Sequence, residues 1–385
     1  RNEGRLDQLA RDIQTWSKTL PNQLLLAQIH EELGRPVEAL KLYKQISKKR
    51  PGNRTATDAV ERLLREDGNR DTLRKHLDKM VRSDPQNPRH ALALTKLYFD
   101  EGSDTKATQL IKKLRRRFPH DPGVQESILD LLLRTDIESE HIIKAYKQLI
   151  RLEPLEISHR VALGEYYHSE GQTKEALKTW EKMVTTAQDK SEALIIRART
   201  LAEHRMIDRA VEDYERALST QSNKRLLYRE VATMLEQAER LSEALRYWRK
   251  LSKATGTAHD SRYEEEAYHQ VIGLHSRLGT LQPFLRSQHK LWQQDESNRH
   301  HGLQITLAYL KQNQWTAAER VLMTLEKHHP NDPLLLSLMV RSLEGQNKPI
   351  QCLNVLRKLA KHAPHRARTA IEKFSHWSEQ ETQAI

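Results

Sequence analysis

The chain has 385 residues, which is more than one compact core usually organises. Hydrophobic residues make up 37% and charged residues 30%, so the chain is less apolar than an ordinary globular domain. An array of repeats would account for this, because each unit contacts only its neighbours and keeps much of its surface in water. The net charge of +12 favours acidic partners, and a single cysteine excludes an intrachain disulfide and a cysteine-based zinc site.

Prolines and glycines recur along the chain with a period of 34 residues. Two apolar helical patterns lie within each period, one on either side of the glycine position, and they predict a row of helix–turn–helix units. The recurring residues are Pro51, Pro85, Pro119, Pro330 and Pro364, with Gly34, Gly68 and Gly102. The first helices of the units are predicted to begin near Leu20, Arg54, Pro88, Pro122, Ile157, Ser191, Arg225, Glu265, Arg299 and Pro333.

Small and large residues also occupy fixed places in the units. A small residue beside a large one at i, i+4 lets two antiparallel helices close around the larger side chain. The small residues of the second helix are Ala39, Ala107, Ala176, Ala210, Ala244 and Ala318, with Cys352 in the same place. The large residues four positions later include Tyr43, Trp180, Tyr214 and Trp248. In this packing position Cys352 is predicted to be inert.

The segment Val161–Val184, VALGEYYHSEGQTKEALKTWEKMV, resembles a tetratricopeptide repeat. The resemblance extends over residues 20–364 at one fixed phase. It implies an all-α fold, a right-handed α-solenoid (superhelix) of antiparallel helix pairs. The residues that carry it in this segment are Gly164, Tyr167, Gly171, Ala176 and Trp180.

Three parts of the chain depart from the regular repeat. Residues 1–19 look like a partial repeat. They form an N-terminal helix that resembles the second helix of a repeat whose first helix is missing, so we expect the N-terminus to be truncated. The segment 252–264 lengthens its unit and is predicted to be either a long loop or a hinge between two half-solenoids. Residues 365–385 are predicted to form a capping helix and tail, because Ala370, Ile371, Phe374 and Trp377 share one stripe.

Charged and polar residues mark the predicted helix ends. The basic runs 48–50 and 115–117 fall in the last turn of second helices, where cations complement unpaired carbonyl groups by about 0.3–1 kcal/mol each. This recurrence favours helix capping over a nucleic-acid patch. At the opposite ends, Asn87, Asp121 and Asp332 each precede a proline and are predicted to be N-caps.

The sequence contains no HExxH, GxSxG or glycine-rich phosphate-binding motif. The histidine pairs 300–301 and 328–329 are poor chelates, because adjacent side chains on a helix point about 100° apart. We therefore expect no enzyme activity, no metal site and no cofactor.

In the family that the chain resembles, ligand contacts come mostly from the first helices, which line a concave groove. The resemblance therefore implies a partner-binding surface there, and an acidic peptide segment of a partner protein is the expected ligand. Solubilisation of exposed helices would account for the same charges. The candidate partner-binding residues are Arg62, Arg65, Arg89, Lys96, Tyr98, Phe99, Arg199, Arg229 and Arg341.

The expected function is a non-catalytic protein–protein interaction scaffold within a larger protein or assembly. Two alternatives stay open. The pI near 9.6 also fits a helical repeat that binds nucleic acid, although few aromatic residues are predicted on the groove side. Similar repeats also occur in bacterial polysaccharide export and secretion machines. No apolar run approaches the length of a membrane span, and the sequence leaves open the oligomeric state and the choice between cytoplasm and bacterial periplasm.

Overall fold

The computed structural model describes residues 2–16, 19–50, 52–135, 137–221, 224–254 and 261–368. The described residues form α-helices joined by short turns, and none of them lies in a β-strand. None of the described helices is long and apolar enough to cross a membrane.

After an initial helix α1 (Asn2–Thr15), the described helices alternate between first and second helices of successive pairs. The first helices are α2 (Leu20–Glu32), α4 (Arg54–Glu66), α6 (Pro88–Asp100), α8 (Pro122–Leu133), α10 (Ile157–Ser169), α12 (Lys190–Glu203), α14 (Arg225–Gln237), α16 (Ser261–Arg277), α18 (Arg299–Lys311) and α20 (Pro333–Gly345). The second helices are α3 (Pro36–Lys49), α5 (Arg70–Ser83), α7 (Asp104–Arg117), α9 (Ser139–Leu152), α11 (Thr173–Thr186), α13 (Ile207–Thr220), α15 (Leu241–Ala254), α17 (Leu281–Trp292), α19 (Trp315–His328) and α21 (Pro349–His362).

Eight of the ten predicted starts of first helices coincide with the first residue of the helix. Helix α12 begins one residue early, because the side chain of Asp189 accepts hydrogen bonds from the backbone N–H groups of Ser191 and Glu192 at 2.8 and 3.0 Å. Helix α16 begins four residues early, directly after the lengthened segment. The predicted hinge includes residues 255–260, and the predicted capping stripe from Ala370 onward belongs to 369–385; both lie outside the described residues.

The chain divides into two compact units, residues 1–182 and 183–385. Within each unit a helix packs against the next one along the chain, and several first helices also contact the next first helix, as α6 does with α8 and α16 with α18. The predicted all-α fold of antiparallel helix pairs is confirmed. The domain boundaries predicted at residues 19 and 364 remain predictions.

The turn inside nine of the ten pairs uses a left-handed residue, and none of the described residues between α8 and α9 does. Gly34, Gly68, Gly102 and Gly171 have φ between 67 and 73°, a region that costs glycine nothing. The backbone N–H of the next residue then donates a hydrogen bond to a carbonyl of the last helical turn. The N–H of Arg35, for example, donates to the carbonyl of His30 at 2.8 Å. Later units adopt the same conformation without glycine, at Arg205, Glu239, Asn313 and Asn347. The turn geometry therefore continues where the glycine period of the sequence is broken.

Helices α10 and α11 approach each other closely at Gly164. A methyl group added at Gly164 would lie 2.1 Å from the indole nitrogen of Trp180, so only glycine fits under this ring. The indole N–H of Trp180 donates to the carbonyl of Val161 at 3.2 Å. Ala176 and Trp180 are both completely buried, as the small and large positions of the repeat predict.

The predicted helix ends agree with the structure. Asn87, Asp121 and Asp332 each accept a hydrogen bond from a backbone N–H of the first turn that follows. The basic runs lie in the last turns of α3 and α7. Cys352 is buried, and burial raises the pKa of its thiol to about 11, which makes it unreactive.

Replacement of Ala176 by leucine is expected to lower the free energy of unfolding by about 1–3 kcal/mol, because the added atoms have no space beside Trp180. The same change at Lys178, whose side chain is exposed on the same helix, is expected to leave stability nearly unchanged. Urea unfolding followed by circular dichroism measures both. Equal small effects at the two positions would contradict the assigned repeat phase.

Candidate functional site

Three of the predicted partner-binding residues line one cleft in unit 1. This α4–α6 cleft has a volume of about 650 Å³. Arg62 and Arg65 reach it from the last turns of α4, and Arg89 reaches it from the first turn of α6. The charged side chains that line it are Arg54, Arg62, Arg65 and Arg89, with Asp58, Glu61 and Asp84.

The predicted cations of the α4–α6 cleft are paired with carboxylates of the chain. Arg62 hydrogen-bonds Glu31 on α2, and this bond raises the pKa of the guanidinium. Arg65 contacts Glu61 at 2.7 Å, and Arg89 lies 3.9 Å from Asp58. The three arginine side chains are half exposed or more, and exposed ion pairs contribute at most about 1 kcal/mol. A carboxylate of a partner can therefore replace the internal ones at little cost.

A second, smaller cleft of about 320 Å³ adjoins the first through Arg65. Lys96 lines it and is exposed, and no carboxylate of the described residues forms an ion pair with it. Lys96 is therefore the predicted cation in this region that is most accessible to a partner.

The predicted aromatic residues of α6 do not line either cleft. The ring of Tyr98 packs against the core of unit 1, with the ammonium of Lys106 on α7 at 5.8 Å from the ring centre. Burial is the main cause that raises the pKa of Tyr98. Phe99 is half-buried. The structure thus groups the predicted cations of α4 and α6, while Tyr98 lies toward the second helices.

In unit 2, Arg199 and Arg229 line a cleft of about 1050 Å³ between α12 and α14. Arg199 forms two hydrogen bonds with the carboxylate of Glu230, at 2.6 and 2.9 Å. Arg229 does the same with Glu266 on α16, at 2.9 and 2.8 Å. This cleft is more apolar than the first one, since the half-exposed Leu226 also lines it.

Three of these ion pairs share a spacing that sequence reasoning missed. Each of the three links a charge on one first helix to an opposite charge on the next first helix. The pairs Glu31–Arg62, Asp58–Arg89 and Arg199–Glu230 are separated by 31 positions, one repeat less about one helical turn. The repeat length of 34 aligns equivalent positions of successive units, whereas facing charges lie 31 positions apart. A scan for opposite charges at i, i+31 would have found them.

Arg341, the last predicted residue, is exposed on α20. Burial lowers the pKa of His269 on α16, the charge of Glu265 raises it, and the positive charges of Arg341 and Lys311 lower it. Helix α18 contacts both α16 and α20, so these side chains belong to neighbouring first helices.

The described residues contain one grouping with metal-ligand chemistry, formed by Glu126, Glu153 and His159. The carboxylate of Glu153 contacts the imidazole of His159 at 2.8 Å, and Glu126 is exposed. The pair is accounted for as a contact between the end of α9 and helix α10, and nothing further in this region indicates a cofactor.

The recurring helix pairs, left-handed turns and buried small–large positions define a helical repeat protein. The sequence model of the tetratricopeptide repeat family matches residues 24–55. This match covers one unit of the chain, and the other described helix pairs share its helix–turn–helix architecture. Proteins built from this repeat are typically non-catalytic scaffolds for protein interactions.

Similar solved structures include several helical repeat proteins. One is titled as the structure of Naa15/Naa10 bound to HypK-THB, at 13% identity and a TM-score of 0.36, with 94% of this chain and 67% of that chain covered. A tetratricopeptide repeat protein from Parabacteroides merdae ATCC 43184 is 17% identical, with a TM-score of 0.34 and coverage of 60% and 91%. YrrB, titled as a tetratricopeptide repeat protein with an unusual peptide-binding site, is 15% identical, with a TM-score of 0.28 and coverage of 50% and 97%. No curated protein sequence matches the chain.

Proposed function

We propose that the α4–α6 cleft binds an acidic peptide segment of a partner protein, and that the chain acts as a non-catalytic scaffold through this contact. The observation that carries the proposal is the convergence of Arg62, Arg65 and Arg89 on one cleft. Guanidinium groups bind carboxylates through paired, charge-assisted hydrogen bonds.

Two further features support an acidic ligand. Lys96 lies in the adjoining cleft, which extends the row of cations along the first helices of two neighbouring units. The net charge of +12 also speeds the encounter with an acidic partner, in a way that weakens as salt is added.

The test is a selection of random 12-residue peptides displayed on phage against the full chain. The peptides recovered are expected to be rich in Asp and Glu. Charge reversal of Arg62, Arg65 and Arg89 to Glu is expected to weaken their binding by about tenfold or more, since one lost charge-assisted hydrogen bond is worth about 1.5–3 kcal/mol.

A matched variant reverses Lys41, Lys75 and Lys147, which are exposed on second helices and produce the same change in net charge. This variant is expected to bind the selected peptides like the unaltered chain. Peptides without an acidic bias, or equal losses in both variants, would contradict the proposal. Tight binding of a single-stranded RNA oligonucleotide, lost only in the cleft variant, would assign the cleft to nucleic acid instead.

A further inference from the structure

The chain begins a further helical turn directly after α21. Residues 364–368 are helical, and Ala367 is only 1% exposed although it lies beyond the last helix pair. The side chain of Arg366 is 20% exposed. Residues of an isolated helical turn would be largely in water, so other residues of the chain cover this turn.

The partner of this turn is far away along the chain. The Nη1 atom of Arg366 lies 3.1 Å from Oε2 of Glu265. Glu265 is on α16, the first helix of the third pair counted back from α21. In a stack of repeats, contacts form between neighbouring units. A turn that only continued the stack would contact α20 and α21, whereas residues 364–368 reach back to α16.

The carboxylate of Glu265 belongs to a defined surface. His269 follows it by one helical turn, with its Nε2 atom 4.0 Å from the Oε1 atom of Glu265. Lys311 ends α18 and Arg341 lies on α20; α18 packs between α16 and α20, and the charges of both residues lower the pKa of the same histidine. We call Glu265, His269, Lys311 and Arg341 the first-helix surface of unit 2. Glu265 is the acidic member of this set, so a cation from outside the surface docks next to it.

We propose that residues 364–368 occupy the first-helix surface of unit 2 in cis, with Arg366 docked on Glu265, and that a partner of this surface has to displace them. The proposal concerns unit 2 and does not depend on the α4–α6 cleft. The kind of partner that competes is a segment that presents a cation to Glu265, because the segment being displaced does the same. Displacement would leave Arg366 free to bind elsewhere.

The probe is a fluorescein-labelled peptide with the sequence of residues 364–385, titrated against the full chain and followed by fluorescence anisotropy. In the unaltered chain the segment in cis is present at a high effective concentration and is expected to exclude the probe. The Arg366→Glu chain repels its own segment, and the probe is expected to bind it roughly fivefold more tightly or better, since a partly exposed surface ion pair contributes up to about 1 kcal/mol.

A charge-swapped series shows whether Glu265 is the acceptor. The Glu265→Arg chain is expected to bind a probe carrying Glu in place of Arg366 and to reject the unaltered probe. The double variant Glu265→Arg, Arg366→Glu restores the match in cis and is expected to exclude both probes. Arg357→Glu, at an exposed position of α21, makes the same charge change away from the surface and is the control. Equal binding of the unaltered probe by the unaltered and Arg366→Glu chains would overturn the proposal, as would binding that ignores the residue at 265.

Discussion

Replacement of Trp180 by alanine is expected to lower the free energy of unfolding around α10 and α11 by about 3–5 kcal/mol. Trp180 is completely buried, and its ring lies so close to Gly164 that no other residue fits there. Alanine would leave a cavity the size of the indole and would remove the hydrogen bond to the carbonyl of Val161. Two terms contribute to this loss of free energy. One is the apolar surface that is no longer buried, and the other is the cavity, because tightly packed helices cannot move in to fill it.

Hydrogen exchange of the backbone amides is the appropriate measurement, because a row of repeats opens locally as well as globally. Protection is expected to fall in α10 and α11 and to change little in α2 and α3. Trp16→Ala is the control, since that side chain is 48% exposed and its removal leaves no cavity. A loss of protection of similar size in both variants would mean that Trp180 is not the packing centre of its pair.

The Asp213→Ala variant is expected to lose about 3–5 kcal/mol of stability in unit 2. Arg197 on α12 and Asp213 on α13 are 9% and 3% exposed at their side chains, and they share two hydrogen bonds of 2.6 Å. Removal of the carboxylate leaves the guanidinium of Arg197 buried without its negative partner. The interior of a helix pair offers few hydrogen-bond acceptors that could replace an ionised carboxylate.

Urea unfolding of three variants separates the charge from the volume of Asp213. Glu140→Ala removes an exposed carboxylate that pairs with Lys144, and it is expected to leave unfolding unchanged. The double change Arg197→Met, Asp213→Leu is expected to cost less than Asp213→Ala, because it removes both charges and keeps the space filled. A single variant as stable as the unaltered chain would show that water reaches Arg197.

The architecture was predictable because several local signals agree with one another in most units. A proline after an Asn or Asp cap marks the start of a first helix, as at Asn87 and Asp332, and side chains of these residues make the hydrogen bonds expected of them. The small–large pairs are buried where the period places them. The turns were harder to predict, because Arg205 and Glu239 adopt a left-handed conformation that is uncommon for their residue types.

The candidate site was predictable only in part. The helical register predicts which face of the helix a residue such as Arg62 occupies, and the structure places Arg62 beside Arg65 and Arg89. The register does not predict which carboxylate of a neighbouring helix the arginine contacts, because that contact depends on the offset between adjacent first helices. The position of Tyr98 depends in the same way on how α6 is rotated against α7.

Nearest-neighbour packing has a consequence for how the chain folds. Most of its contacts join residues that are close in sequence, so the entropy lost in closing loops is small and folding is expected to be fast for the length of the chain. Each helix pair can form on its predecessor as the chain leaves the ribosome. The contact between Arg366 and Glu265 is different, since it needs α16 to α21 to be in place before its two ends can meet. It is therefore a late event in folding, and its formation reports that the last three pairs are assembled.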